Sequence, residues 1–276
     1  MAYRTLITAE QLRALAQRPV LLDCSFDLAD SIAGERSFAA AHIPGAVYAH
    51  LDRDLAGART GHNGRHPLPE LHAFAHRAGA WGIAPGVQVV TYDAQGGPYA
   101  ARAWWLLRWL GHSEVAVLDG GLAAWQAAGG ELASTSAPAA AAAPYPAAAE
   151  AMPTVSAASL LTEAGRWHVI DARAGERFRG EVEPLDRVAG HIPGAINRVF
   201  KNNLQADGRF KPAAQLRAEF DALGLPSESV VHQCGSGVTA CHNLLAMTHA
   251  GLDGSRLYPG SWSEWSSDPS RPVARG

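Results

Sequence analysis

Long apolar runs are missing from this chain of 276 residues, and no stretch approaches the roughly 20 that a membrane-spanning helix needs. An excess of one charge is missing too. The 23 Lys and Arg stand against 26 Asp and Glu, a net of −3, which excludes the basic footprint of a nucleic-acid binder. Cysteine is scarce: Cys24, Cys234 and Cys241 form no Cys-x-x-Cys pair, so neither a disulfide framework nor a thiolate metal site is expected. An odd, small count fits a reducing compartment. The opening Met1-Ala2-Tyr3-Arg4-Thr5-Leu6 holds no signal-peptide core, so a cytoplasmic location is expected, with no membrane partner. What is present is an ordinary globular composition, 47% hydrophobic and 18% charged, long enough for one large domain or two smaller ones.

The chain repeats itself. Ala41-His42-Ile43-Pro44-Gly45-Ala46 returns as Gly190-His191-Ile192-Pro193-Gly194-Ala195. An apolar run ending in Asp precedes each, Val20–Asp23 and then His168–Asp171. Val89-Val90-Thr91-Tyr92-Asp93 finds its counterpart in Val230-Val231-His232-Gln233-Cys234, and Leu118-Asp119-Gly120-Gly121 with Trp125 in Tyr258-Pro259-Gly260-Ser261 with Trp265. Four landmarks in one order mark a tandem duplication. Each copy alternates short β-branched runs with helical stretches, among them 9–16, 100–110 and 213–223. That alternation predicts an α/β fold, a mostly parallel sheet with helices on both faces. His42 and His191 are expected to stabilise turns. Residues 1–134 are assigned to the first domain and 153–276 to the second. Between them 135–152, rich in Ala and Pro, reads as an extended, semi-rigid linker.

The copies part company at one position. Cys234 ends an apolar run and opens Gly235-Ser236-Gly237, after which 238–247 reads as a helix. A thiol at the carboxyl end of a strand and the mouth of a helix faces unpaired amides and a helix dipole, and should ionise more readily than a free one. Gly235 and Gly237 let the backbone curl toward it. Most intracellular cysteines are merely small buried hydrophobes, but a glycine loop opening into a helix favours a nucleophile. A cysteine phosphatase is excluded, because the sixth residue after Cys234 is Ala240 and no guanidinium follows to clamp phosphate. In the first copy Asp93 takes the place of the thiol. A carboxylate is no thiol nucleophile, so that half is expected to be catalytically silent.

Cys234-Gly235-Ser236-Gly237-Val238-Thr239-Ala240 resembles the active-site loop of the rhodanese superfamily of sulfurtransferases, and His-Ile-Pro-Gly-Ala is similar to a signature of the same domain. The loop is most similar to the 3-mercaptopyruvate branch, with thiosulfate sulfurtransferases a close second. The resemblance covers nearly the whole chain and implies two rhodanese-like domains. It implies that Arg177, ahead of Phe178, binds the anionic donor, and that the amides of Gly235, Gly237, Val238 and Thr239 hold the persulfide anion. It implies further that Ser236 works with His66 and Asp52. Asp54 is the alternative carboxylate, and a surface salt bridge with Glu176 or Glu181 the plain alternative for Arg177. A second donor-binding arginine is expected in Glu181-Val182-Glu183-Pro184-Leu185-Asp186-Arg187, but Leu185 falls at its place and Arg187 is displaced by two positions. Arg187 either reaches the site or is simply exposed. Trp262 and Trp265 are placed at the pocket rim, and the Thr239 hydroxyl is expected to close the loop or start the helix.

The resemblance thus implies an enzyme that moves sulfur from a small anionic donor, 3-mercaptopyruvate or thiosulfate, through a Cys234 persulfide to a thiol or cyanide. The thiol acceptor would be a thioredoxin-like protein or a small thiol. No cofactor beyond the transient persulfide, and no metal, is implied. The alternative is a non-catalytic rhodanese-type module that regulates or binds a sulfur carrier.

Overall fold

A computed structural model describes residues 2–135, 142–147, 151–163 and 165–276. The chain divides into two compact units. Each mostly follows one copy of the repeat, but 58–68 belongs to the second unit and 206–210 to the first.

The first unit is built on five parallel strands: β1 (Leu6–Ile7), β2 (Val20–Asp23), β3 (Ala46–Tyr48), β4 (Val89–Tyr92) and β5 (Val115–Leu118), ordered β1-β5-β4-β2-β3. Parallel strands need covered faces, and the side chains alternate accordingly. Val90 and Tyr92 join a core with Leu12 of α1 (Ala9–Arg13), backed by Phe38 of α2 (Ala33–Ala40). Thr91 points the other way, its hydroxyl donating to the Ala100 carbonyl at 3.0 Å. That face is covered by α4 (Pro98–Trp109), whose Trp104 and Trp105 are fully buried, and α3 (Leu71–Ala80) also belongs to this unit. After β5 comes α5 (Gly121–Ala127). Thr8 and Gln11 form a capping box at the start of α1, which ends at Arg13, three residues short of its expected end.

The linker expectation falls partly on 136–141 and 148–150, outside the described residues. Where it is described, the segment is fastened to the first unit. The amides of Ala142 and Tyr145 donate to the carbonyls of Gly79 and Ala75, and that of Ala151 donates to Trp109. The Tyr145 ring packs edge-on against His112.

The second unit repeats the plan. Its elements run α6 (Ala157–Thr162), β6 (His168–Asp171), α7 (Gly175–Phe178), β7 (Ile196–Asn197), α8 (Ala213–Asp221), β8 (Val230–Gln233), α9 (Ala240–His249), β9 (Arg256–Leu257) and α10 (Ser261–Trp265). The parallel order is β7-β6-β8-β9, with a bridge from Thr154 to Leu257 in the place β1 holds in the first sheet. Val231 packs with Tyr258, Trp262 and Trp265 on one face, while His232 meets Met247 of α9 on the other. The matched histidines do matched work. His42 Nδ1 lies 2.6 Å from the Phe38 carbonyl with its ring stacked on Phe38; His191 Nδ1 lies 2.8 Å from the Phe178 carbonyl, stacked on Phe178.

Candidate active site

The β8 strand delivers Cys234, which is 2% exposed. Its amide donates to Ser261 Oγ at 3.1 Å, and its carbonyl accepts from the Trp262 amide at 3.0 Å. The strand end is therefore tied to the first turn of α10. Gly237 follows with a φ of +76°, and a Cβ there would stand 2.3 Å from the Pro259 carbonyl oxygen, so no larger residue fits. This turn also sets where α9 starts. Val238 and Thr239 accept from Cys241 and His242 in tight bonds of 3.0 and 3.2 Å, and the helix proper begins at Ala240, two residues later than the sequence suggests. Thr239 is the cap residue, but its hydroxyl makes no capping bond.

The first unit shows what such a loop is built to hold. Asp93, at the position of Cys234, is buried, and its carboxylate accepts from the amides of Gln95, Gly97, Tyr99 and Ala100 at 2.8 to 3.0 Å. Burial pushes its carboxyl up from the usual range, and the amides pull against that shift. The loop after Cys234 stands at the corresponding place in the second unit. Among the described residues, the amides of Gly235, Ser236, Val238 and Thr239 donate to no backbone or side-chain acceptor.

Ser236 and His66 meet, with Ser236 Oγ 2.7 Å from His66 Nδ1 and both residues buried. His66 lies in the 58–68 segment, which is part of the second compact unit although its sequence precedes the repeat boundary. Asp52 belongs to the first unit, in the turn after β3, where its amide donates to His50 Nδ1 at 3.1 Å. Asp54 is committed locally: it accepts the His50 amide at 2.8 Å and pairs with Arg77 at 3.1 Å.

Arg177, from α7, does not pair with Glu176 or Glu181. It binds Glu183 at 2.6 Å and lies 3.5 Å from Asp186, while Glu181 is taken by Arg179. Glu183 also holds the buried Arg173 at 3.3 Å, and Arg173 in turn pairs with Asp171 at 2.7 Å. A residue that sequence reasoning passed over joins them. Arg65 pairs with Asp186 and lies over Gly235, where a Cβ would stand 2.9 Å from Arg65 Nη2 and 3.4 Å from Arg177 Nη1. Its only local signal was its place beside His66. Burial pushes the Asp186 carboxyl up, with Arg65 pulling it down. Arg187 is exposed and has no ion-pair partner among the described residues; it lines a cavity of about 510 Å³ with Arg59, Arg65, Leu185 and Asp186. The two tryptophans are not at a rim. Trp262 and Trp265 are 0% and 2% exposed, their indole N–H groups donating to the carbonyls of Val188 and Pro272, because α10 turns its apolar face into the core.

A thiol at a strand end, a following loop whose amides have no acceptor, a hydroxyl–imidazole pair and two guanidiniums over the next residue, Gly235, suit nucleophilic attack on a small anion with proton transfer. Comparison with known proteins points the same way. A family model described as a rhodanese-like domain matches residues 8–128 and 154–268. The chain is 50% identical to a probable 3-mercaptopyruvate sulfurtransferase of Pseudomonas aeruginosa, over 100% of both chains. It is 40% identical to a putative thiosulfate sulfurtransferase of Mycobacterium tuberculosis, over 99% of this chain and 98% of that one. A solved 3-mercaptopyruvate sulfurtransferase from Leishmania major superposes with a TM-score of 0.84 at 31% identity, covering 95% of this chain and 74% of that one.

Proposed function

Since this chain belongs to the rhodanese family and is a sulfurtransferase, we propose that Cys234 takes sulfur from 3-mercaptopyruvate, with thiosulfate as the second donor, and passes it on as a persulfide. The reading as a non-catalytic module is not favoured by the sulfurtransferase relatives. The observation that supports this donor chemistry is the pair of guanidiniums, Arg65 and Arg177, over Gly235, the residue that follows Cys234.

The Cys234 thiolate attacks the sulfur of mercaptopyruvate, an S–S bond forms, and the C–S bond breaks with its electron pair leaving on carbon. The proton on the donor sulfur ends on that carbon, giving pyruvate and a Cys234 persulfide anion. With thiosulfate the same attack expels sulfite and moves no proton. In this reading Ser236 and His66 carry the proton in the first case, supported by their 2.7 Å contact, and Asp52 is assigned to orient His66. The amides of Gly235, Gly237, Val238 and Thr239 stabilise the persulfide anion as the four amides around Asp93 hold a carboxylate.

The neutral loop favours the singly charged mercaptopyruvate over the doubly charged thiosulfate. Arg177 binds its carboxylate, and Arg187, which lines the neighbouring cavity, stands on the approach. In a second half-reaction a thiolate, from a small thiol or a thioredoxin-like protein, or cyanide attacks the outer sulfur and frees Cys234. No resident cofactor or metal enters this scheme. The Asp93 half of the chain is silent in it. A cytoplasmic setting belongs to this reading. No helix among the described residues is long and apolar enough to cross a membrane.

Intact mass after incubation with mercaptopyruvate tests the reading. The protein should gain one sulfur atom, and Cys234→Ser should gain none. Equal uptake by the variant, or none by the wild type with either donor, overturns it.

A further inference from the structure

The donor-binding arginine expected near residue 185 is not there. Leu185 is exposed, and Arg187 lies on the cavity wall with no partner among the described residues. A second guanidinium nevertheless reaches the thiol loop from another part of the chain. Arg65 and Arg177 both lie over the open α-carbon of Gly235, the residue next to Cys234, and both face one carboxylate, Asp186. Their side chains are partly exposed, 23% and 17%, while that of Asp186 is 7% exposed.

Charge arithmetic gives this arrangement a meaning. Arg65, Arg173 and Arg177 are balanced by Asp171, Glu183 and Asp186. Asp171 is anchored to the buried Arg173 at 2.7 Å, and Glu183 to Arg177 at 2.6 Å and to Arg173 at 3.3 Å. Asp186 is the member whose place an incoming anion would take. Its Oδ2 has no hydrogen-bond donor despite being buried, and it borders the 510 Å³ cavity that Arg65 also lines. Once Asp186 swings away, the cluster has one positive charge in excess, which matches one carboxylate on a donor.

We propose that Arg65 is the second arginine of the donor-anion clamp, paired with Arg177 across Gly235 and occupied at rest by the Asp186 carboxylate. The clamp fixes the donor's carboxylate beside Cys234, and Asp186 competes with it for the same two forks. Burial pushes the Asp186 carboxyl up, which fits a resting occupant that is held at a desolvation cost.

This inference rests on Cys234 being the thiol that meets an anionic donor, so the test reads anion recognition separately from sulfur transfer. Iodoacetate and iodoacetamide alkylate a thiolate by the same displacement of iodide and differ in one carboxylate. Their rates on Cys234, followed by peptide mass in the full chain, give a ratio that reports the local anion site. Arg65→Ala should lower the iodoacetate-to-iodoacetamide ratio about tenfold, as expected for losing one charge-assisted fork, and raise KM for mercaptopyruvate more than it lowers kcat. Asp186→Asn should raise the ratio. Arg65→Lys, a gentler change, should keep part of it.

A ratio unmoved in both Arg65 variants, or both reagents slowed equally, overturns the proposal and leaves Arg65 a structural residue. If the wild type takes up no sulfur, the sulfur-transfer reading falls, yet the alkylation ratio still decides for or against Arg65.

Discussion

His66 Nδ1 stands 2.7 Å from Ser236 Oγ, with both side chains removed from solvent. That contact commits the hydroxyl to the imidazole and aligns the pair one residue away from the thiol's own loop glycine. Ser236→Ala should lower kcat for mercaptopyruvate about 100-fold, the usual worth of a positioned proton carrier. Alkylation of Cys234 by neutral iodoacetamide should persist, since that reaction needs no proton delivered to carbon. Thiosulfate turnover, which moves no proton in the first half-reaction, should fall much less. Steady-state kinetics with the two donors side by side checks this.

Asp93 bears on stability. Its buried carboxylate satisfies four amides, two of them on the buried Gly97 and Ala100, so Asp93→Ala strands several donors at once. A loss of about 3 kcal/mol is expected, with Asp93→Asn, which keeps one acceptor oxygen, losing less. Urea unfolding measures both.

His232 sets a pH dependence. It is wholly buried against Met247, and burial lowers its pKa from 6.5 to about 3, with Arg198 adding to the shift. The unfolded chain therefore binds a proton near pH 6.5 that the folded chain refuses until about pH 3. The stabilising effect is complete above pH 6.5 and is lost as pH falls through that window, with a slope of up to about 1.4 kcal/mol per pH unit from this one group. The buried carboxyls Asp23, Asp93 and Asp186 are shifted upward and act in the opposite sense at the acidic end. A His232→Gln variant isolates the histidine: the slope of unfolding free energy against pH should flatten by about one proton between pH 6 and 4.

The fold was legible because it was written twice. The strands ending in Asp23 and Asp171, the glycine turns and the stacked His42 and His191 answer the same local steric needs in each copy, and a repeated need leaves a repeated string. Cys234 was legible for a similar reason, since strand, glycine loop and helix are contiguous. Arg65 and Asp186 were not. Each lies in an irregular segment with no period, and their meeting is a property of two loops far apart in the chain. Trp262 and Trp265 were misplaced because α10 has five residues, too few for an apolar face to announce itself. The start of α9 was misread by two residues because Gly237 at positive φ forces a tight turn before the helix settles.

The strand of chain from 58 to 68 carries a consequence for the ancestry of the protein. The chain holds two rhodanese-like domains, but the boundary of the matched sequence is not the boundary of the compact unit. A gene cut in the linker would yield a C-terminal polypeptide holding Cys234 and Ser236 with neither His66 nor Arg65, and an N-terminal one holding those two side chains and no thiol in a glycine loop. The half without a cysteine at the Cys234 position could not then be discarded without losing these two residues. A short segment, 58–68, ties the first stretch of chain to the second unit.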